Sequence, residues 1–155
     1  MTIRSFHAYA FLLAIPLAAH AVQTQPCANV LVPKGMPITM TAKQDVSEPE
    51  ILKFIITRNV PKDARRAKII TVMLDKNGTI KYIRSKVGDQ LSDPMSIGTA
   101  DKSIARILLI VEWLETDKGK WVMDTNDRRP FDVEAFINLG TATLPQATFI
   151  KNEVR

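Results

Sequence analysis

The stretch that decides the fold is residues 61–88, PKDARRAKIITVMLDKNGTIKYIRSKVG. Its middle part, residues 67–75, is dense in β-branched and apolar side chains, which is typical of a central strand covered on both faces. Asn77 and Gly78 follow as the dipeptide that favours a tight hairpin turn, because both residues tolerate the positive φ that such a turn requires. Apolar and polar residues then alternate over residues 79–87, which predicts a second strand with one wetter face. The whole stretch is predicted to be a short basic helix followed by a β-hairpin.

A helix is predicted on the N-terminal side of this hairpin. Ser47 and Glu50 form a capping box, in which each side chain satisfies a backbone N–H of the first turn. Apolar residues then recur at helical spacing, so we expect a helix over residues 48–58 with its apolar face against the core. Alternation over residues 38–42 predicts a short edge strand before it.

The C-terminal side of the hairpin gives one ambiguous and two clear signals. Residues 89–100 are predicted to be a loop because they contain turn-forming residues. Residues 101–115 fit either a capped helix or a strand, and a turn at Gly119 favours a hairpin over residues 109–124. Strict alternation over residues 131–139 predicts a half-buried strand.

Together these elements predict an α+β domain. Its antiparallel sheet would have four to five strands built from two hairpins, with the one main helix packed on one face. The predicted organisation is a signal peptide over residues 1–21, an extended N-terminal arm over residues 22–37, and a single α+β domain over residues 38–155.

Export is predicted from the first residues of the chain. Arg4 precedes an apolar segment over residues 8–19, and residues 19–21 (AHA) have the small-x-small pattern of a cleavage site. The apolar segment is shorter than the ~20 residues that a membrane-spanning helix needs. We therefore expect a periplasmic or secreted chain that begins at Val22 and has no stable membrane insertion after cleavage.

Removal of this segment would change the chemistry of the chain. His7 and His20 are its two histidines, and both lie in the predicted signal peptide. The mature chain would then have no imidazole for a catalytic triad, for acid–base catalysis or for a zinc site. Cys27 is the single cysteine, so an exported chain cannot close an internal disulfide. A Cys27-linked dimer and an unpaired thiol in the arm are the two alternatives.

The charge of the chain points to a possible contact surface. The net charge is +5, and nucleic acid is not expected as the partner of an exported protein. Lys62, Arg65, Arg66 and Lys68 cluster before the first strand of the hairpin, where they could meet an acidic partner, anionic lipid or a glycan phosphate. We take them as candidate partner-binding residues, with a solvated basic face as the alternative.

Parts of the central stretch resemble a known family. Residues 61–67 (PKDARRA), residues 75–80 (DKNGTI) and Arg84-Ser85 are similar to the C-terminal domain of TonB-type energy transducers. In that family a proline-led helix precedes a hairpin, which is followed by a helix and a closing strand. The resemblance covers residues 61–88 and implies a periplasmic domain that pairs a strand edge with a partner protein. The glycine usual between helix and strand and the proline-rich spacer are both absent.

Carboxylates are the main candidates for catalysis. They crowd the last third of the chain: Glu112, Glu115, Asp117, Asp124, Asp127, Asp132 and Glu134. A hydrolase would need one of them to have a raised pKa and to face a second across a cleft. A calcium loop starting at Asp124 is rejected because Arg129 occupies its glycine position. We assign no catalytic residue, metal or cofactor.

The function predicted from the sequence is therefore a non-enzymatic, exported module that pairs an edge strand with another envelope protein. One alternative is a periplasmic or secreted inhibitor or immunity-type protein that plugs an enzyme cleft with the loop of residues 89–100. A carboxylate-based hydrolase is the third hypothesis.

Overall fold

The computed structural model describes residues 26–89, 91, 93–125, 130–140 and 143–152. Of these residues 58% lie in strands and 5% in a helix, and none of their helices reaches seven residues. The predicted α+β class with one main helix is therefore wrong, and the described chain is mostly antiparallel sheet. The elements are β1 (Cys27–Leu31), β2 (Thr39–Asp45), β3 (Leu52–Asn59), β4 (Ala64–Asp75), β5 (Ile80–Gly88), β6 (Met95–Thr99), β7 (Ile104–Thr116), β8 (Gly119–Met123), α1 (Val133–Asn138) and β9 (Ala147–Lys151).

The strands form two sheets. The larger sheet has the order β5-β4-β7-β8-β9, and β1 joins it by pairing in parallel with β7. β1 and β8 share one side of β7, because β1 pairs with residues 106–110 and β8 with residues 113–116. The smaller sheet is antiparallel, with the order β2-β3-β6.

The hydrophobic core lies on both faces of the larger sheet. Between the two sheets, Phe54 and Ile56 of β3 pack with Ile69, Ile107 and other residues of β4 and β7. On the opposite face, a second cluster joins alternate residues of β4 and β7 to the apolar side of α1. β4 and β7 are thus buried on both sides, which explains their nearly continuous apolar sequences and confirms the covered central strand predicted for residues 67–75.

The helix predicted over residues 48–58 is wrong. Residues 52–59 are β3, and a turn before it is closed by the Ile51 amide donating to the Glu48 carbonyl at 3.0 Å. Ser47 does not cap a helix, since its amide instead donates to the Asp45 carboxylate at 3.0 Å. The β-branched residues of β3 favour a strand, and pairing with β2 and β6 satisfies its backbone on both sides.

The strand predicted over residues 131–139 is also wrong, because this segment contains α1. Asp132 caps the helix by accepting a hydrogen bond from the Ala135 amide at 2.9 Å. Val133 and Phe136 lie one turn apart and are both buried against the larger sheet. A spacing of three residues between buried side chains fits one face of a helix, and the alternation in the sequence concealed it.

The two predicted hairpins are present in the structure. β4 and β5 pair around a turn in which Gly78 has a φ of +81°, and β7 pairs with β8 around residues 117–118, so both predicted hairpins are confirmed. Residues 101–115 are thus mainly strand. The predicted basic helix before β4 is instead a turn, closed by the Ala64 amide donating to the Pro61 carbonyl at 3.0 Å. The predicted loop over residues 89–100 contains β6.

The N-terminal segment contributes to the larger sheet. Residues 27–31 of the predicted arm are β1, and Met36 is buried in the core between the sheets. Cys27 is exposed, with its thiol 3.5 Å from the Asn29 side-chain oxygen, and the Cys27-linked dimer stays a prediction. The predicted signal peptide lies outside the described residues. Within the described part of the chain, no helix has the length and apolar character needed to cross a membrane.

Candidate functional site

The predicted basic cluster is largely neutralised inside the larger sheet. Lys62 is exposed in the turn before β4, whereas the other three cations lie on β4 and face carboxylates of β7 and the turn after it. The ion pairs are Arg65–Asp117, Arg66–Glu115 at 2.8 Å and Lys68–Glu112 at 2.7 Å. The Asp117 carboxylate raises the pKa of Arg65. The cluster therefore presents much less positive charge to a partner than its sequence indicates.

The same contacts occupy three of the candidate catalytic carboxylates. Glu112, Glu115 and Asp117 are the acidic partners of β4. Asp132 caps α1, and Asp127 lies outside the described residues. Among the described residues, no group of histidine, cysteine and acidic side chains is arranged to hold a metal ion.

The pKa values of other carboxyl groups are lowered, whereas a general acid needs a raised pKa. Hydrogen bonds from Ser47, together with Lys53, lower the pKa of Asp45 to about 2. The Thr79 amide is the main cause of a lowered pKa at Asp75. These carboxylates organise turns: Asp75 accepts hydrogen bonds from the Asn77 and Thr79 amides, both at 2.9 Å, across the hairpin turn.

β5 is an edge strand of the larger sheet and has a long run of exposed residues. It pairs with β4 on one side, and no other strand of the described chain pairs with its second side. Every residue from 81 to 87 is exposed. Three of them are large and apolar or aromatic: Tyr82 is 43% exposed, Ile83 39% and Val87 49%. Such an edge offers a row of backbone N–H and C=O groups that can pair with another strand.

The register with β4 assigns the side chains of β5 to two different faces. Residues directly opposite each other in a ladder lie on the same face. Arg84 is opposite Thr71, and Lys86 is opposite Ile69, which lies in the core between the sheets. Ile83 is opposite Val72, which lies in the core beneath α1. The face toward the smaller sheet thus carries Tyr82, Arg84 and Lys86, and the face toward α1 carries Ile83, Ser85 and Val87.

The N-terminal end of β5 is fixed by two local features. Tyr82 pairs with Met73 and Ile80 with Leu74, so Lys81 is an extra residue that makes a β-bulge. The Tyr82 hydroxyl donates to the Asp101 carboxylate at 3.0 Å, which raises the pKa of Tyr82. Hydrogen bonds from Ser103 and then from Tyr82 lower the pKa of Asp101. This network ties β5 to the turn before β7 and holds the edge in a defined position.

Two clefts adjoin β5. A cleft of about 620 Å³ lies between the hairpin turn and α1, with Ile80, Ile83, Glu134 and Asn138 in its walls. A second cleft of about 270 Å³ lies at the other end of the strand, between Lys86, Val87 and residues of the smaller sheet. Arg58 lines this second cleft and donates to the Asp93 carbonyl at 2.5 Å. Both faces of the edge therefore have room for side chains of an added strand.

The sequence pattern located the hairpin turn of this site but not its contact residues. Asn77 and Gly78 form the turn that leads into β5, as predicted. Arg84 is identified from the sequence only as part of the family resemblance and Lys86 is not identified, although residues 80–88 contain three cations and no carboxylate. That excess of positive charge on a strand next to a glycine turn is the signal that could have identified them.

The fold defines a class of protein: a two-sheet, mainly β protein with a long exposed strand at one edge. Comparisons with protein-family models, with curated proteins and with solved structures found no match to this chain. The functional argument therefore rests on the geometry of the β5 edge.

Proposed function

We propose that this chain is a non-enzymatic protein-binding module, exported to the periplasm or secreted, that binds an envelope protein by pairing β5 with an extended segment of it. The observation that carries the proposal is the second side of β5, which no strand of the described chain covers along nine residues. In strand addition, main-chain hydrogen bonds supply much of the affinity, and side-chain contacts on alternate positions supply specificity. The resemblance of residues 61–88 to TonB-type domains implies the same mode of binding.

The length and composition of β5 support this choice of edge. The other strands that end their sheets are shorter: β2 has seven residues, β6 and β9 have five each, and β5 has nine. Short edge strands are one way in which proteins avoid unwanted pairing, and β5 lacks that protection. Tyr82, Ile83 and Val87 offer apolar area to a partner on both faces of the strand.

The two alternative functions have less structural support. The inhibitor hypothesis rested on a loop over residues 89–100, and five of those twelve residues are paired with β3 as β6. The hydrolase hypothesis rested on carboxylates, of which Glu112 and Glu115 form ion pairs with β4. The inhibitor and hydrolase hypotheses stay predictions, and we assign no inhibitory loop or catalytic pair to them among the described residues.

The proposal is tested with two neighbouring proline variants, Arg84→Pro and Ser85→Pro. Adjacent residues of a strand direct their N–H groups to opposite sides, and proline removes the N–H. One variant therefore loses a bond to β4, and the other loses a donor that faces the empty side. We expect the variant that loses the bond to β4 to have a lower melting temperature. The variant that loses the outward-facing donor should keep its melting temperature but should no longer capture its partner from envelope extract.

A proline at Thr148 in β9 serves as a control, because this residue is exposed on the opposite edge of the same sheet. The control should retain partner capture. Hydrogen exchange measured on the complex should show new protection of β5 amides. If both β5 variants capture the partner as well as the unaltered chain does, strand addition at β5 is wrong.

A further inference from the structure

The cations of β5 differ from those of β4 in their surroundings. Lys81 lies 3.7 Å from the Asp75 carboxylate. Arg84 and Lys86 form no ion pair with any carboxylate that the structure describes, and both are exposed. Since β5 contains no acidic residue, the charges of Arg84 and Lys86 have no carboxylate beside them on the strand that would receive a partner.

These two cations form a regular row. Arg84 and Lys86 are two residues apart on the same face, so their Cα atoms are separated by about 7 Å along the strand. A strand added alongside β5 has the same spacing between alternate side chains. Two carboxylates at alternate positions of that strand would therefore lie opposite Arg84 and Lys86, where opposite charges stabilise a cross-strand pair.

The other face of β5 selects a different kind of side chain. Ile83 and Val87 are exposed there, separated by Ser85. Ile83 also lines the cleft of about 620 Å³ beside α1, which has room for an apolar side chain. An added strand would thus place acidic residues toward the smaller sheet and apolar residues toward α1.

We propose that the partner of β5 is an extended segment in which acidic and apolar residues alternate. Its carboxylates pair with Arg84 and Lys86, and its apolar residues pack on Ile83 and Val87. This inference rests on the proposed function, since it names the kind of strand that the β5 edge accepts.

A second copy of β5 does not meet this requirement. In an antiparallel pair centred on Arg84 the two Arg84 side chains would be opposite each other, and in one centred on Ser85 each Arg84 would face Lys86. Like charges directly opposite destabilise a sheet. No register of β5 against itself supplies a carboxylate, because the strand has none.

The test measures binding of three labelled peptides by fluorescence anisotropy. Each is as long as β5 and alternates valine with glutamate, glutamine or lysine. Two opposite-charge cross-strand pairs predict that the glutamate peptide binds about 2-fold to 30-fold more tightly than the glutamine peptide. The lysine peptide should bind most weakly. Added salt should reduce the differences in affinity among the three peptides, because ions screen exposed charges.

A charge-reversal variant tests whether the cations of β5 cause the preference for the glutamate peptide. In the variant with Arg84→Glu and Lys86→Glu, the order of the glutamate and lysine peptides should invert. The matched control is Lys34→Glu with Lys43→Glu, two exposed cations outside β5 that give the same change in net charge. This control should retain the original order. Thermal melts check that each variant is folded, and Arg84→Gln with Lys86→Gln replaces the reversal if it is not.

The outcomes separate the two proposals. If all three peptides bind equally and protect β5 amides from exchange, strand addition stands and selection by charge is wrong. If no peptide binds and none protects β5, both proposals are overturned. If the glutamate peptide binds the reversed variant as tightly as the control, its carboxylates are recognised elsewhere and the assignment to Arg84 and Lys86 is wrong.

Discussion

Gly119, at the start of β8, is the position where an added methyl group should disturb the fold most. A Cβ atom there would clash with the Ile150 carbonyl oxygen, and it would lie 2.7 Å from Cζ of Phe149 and 3.0 Å from the Lys151 Cα. Two of these three atoms belong to the backbone of β9, so rotation of a side chain cannot relieve the contact. Gly119→Ala should therefore force β8 and β9 apart.

The cost of this substitution follows from how β9 is held. Among the described strands β9 pairs only with β8, over five residue pairs that include Gly119 opposite Lys151. Overpacking costs about 1–3 kcal/mol, and a contact with rigid backbone belongs in the upper half of that range. For a chain of this size, about 2–3 kcal/mol corresponds to a fall of roughly 4–12 °C in melting temperature.

The assay combines calorimetry with hydrogen exchange. Calorimetry should show the fall in melting temperature, and exchange should show β9 amides losing protection before those of β4 and β7. Thr148→Ala is the control, because this residue is exposed in β9 and its truncation adds no atom. An unchanged melt of Gly119→Ala with β9 still protected would refute the steric reasoning.

Three further predictions concern the turn, the acid stability and the N-terminus. Gly78→Val should lower the unfolding free energy by about 1–3 kcal/mol in urea titrations, because the φ of +81° at this residue strains a β-branched side chain. Since Ser47 and Lys53 lower the pKa of Asp45 from 3.8 to about 2, its contribution to stability should be present above pH 4 and lost as the pH falls toward 2. Asp45→Asn should remove that part of the pH dependence in denaturant titrations. Mass spectrometry of the protein from its native host should find Val22 or a neighbour at the N-terminus.

The elements that the sequence predicted correctly are those in which local chemistry and the final fold agree. The β4–β5 hairpin combines a run of β-branched residues with a turn in which Gly78 is needed for its positive φ. At β7 the turn chemistry of Gly119 outweighed an apolar spacing that also fits a helix, and pairing with β4 and β8 supports the strand. Turn residues act within a few positions, so they can be interpreted without knowing the rest of the fold.

Two of the wrong elements depend on contacts that are distant in sequence. Over residues 52–59 the apolar positions fit either period, and the strand is stabilised by pairing with β2 and with β6, which lies about forty residues further along the chain. Over residues 131–139 the alternation satisfied the strand period, but Asp132 caps a helix whose buried residues pack on the larger sheet. Periodicity alone does not say which surface is present to cover an apolar side chain.

The same dependence on distant contacts decides which cations are left for a partner. A charged residue on an internal strand can find opposite charges on two neighbouring strands, whereas one on an edge strand has a single neighbour. Arg65 and Arg66 on β4 pair with carboxylates about fifty positions away, on β7 and the turn after it. Arg84 and Lys86 have only β4 beside them, and the residues opposite them there are Thr71 and Ile69. The positive charge that we propose for recognition therefore lies on Arg84 and Lys86 and not on the denser cluster before β4, because Arg65, Arg66 and Lys68 of that cluster are paired with carboxylates of the same sheet.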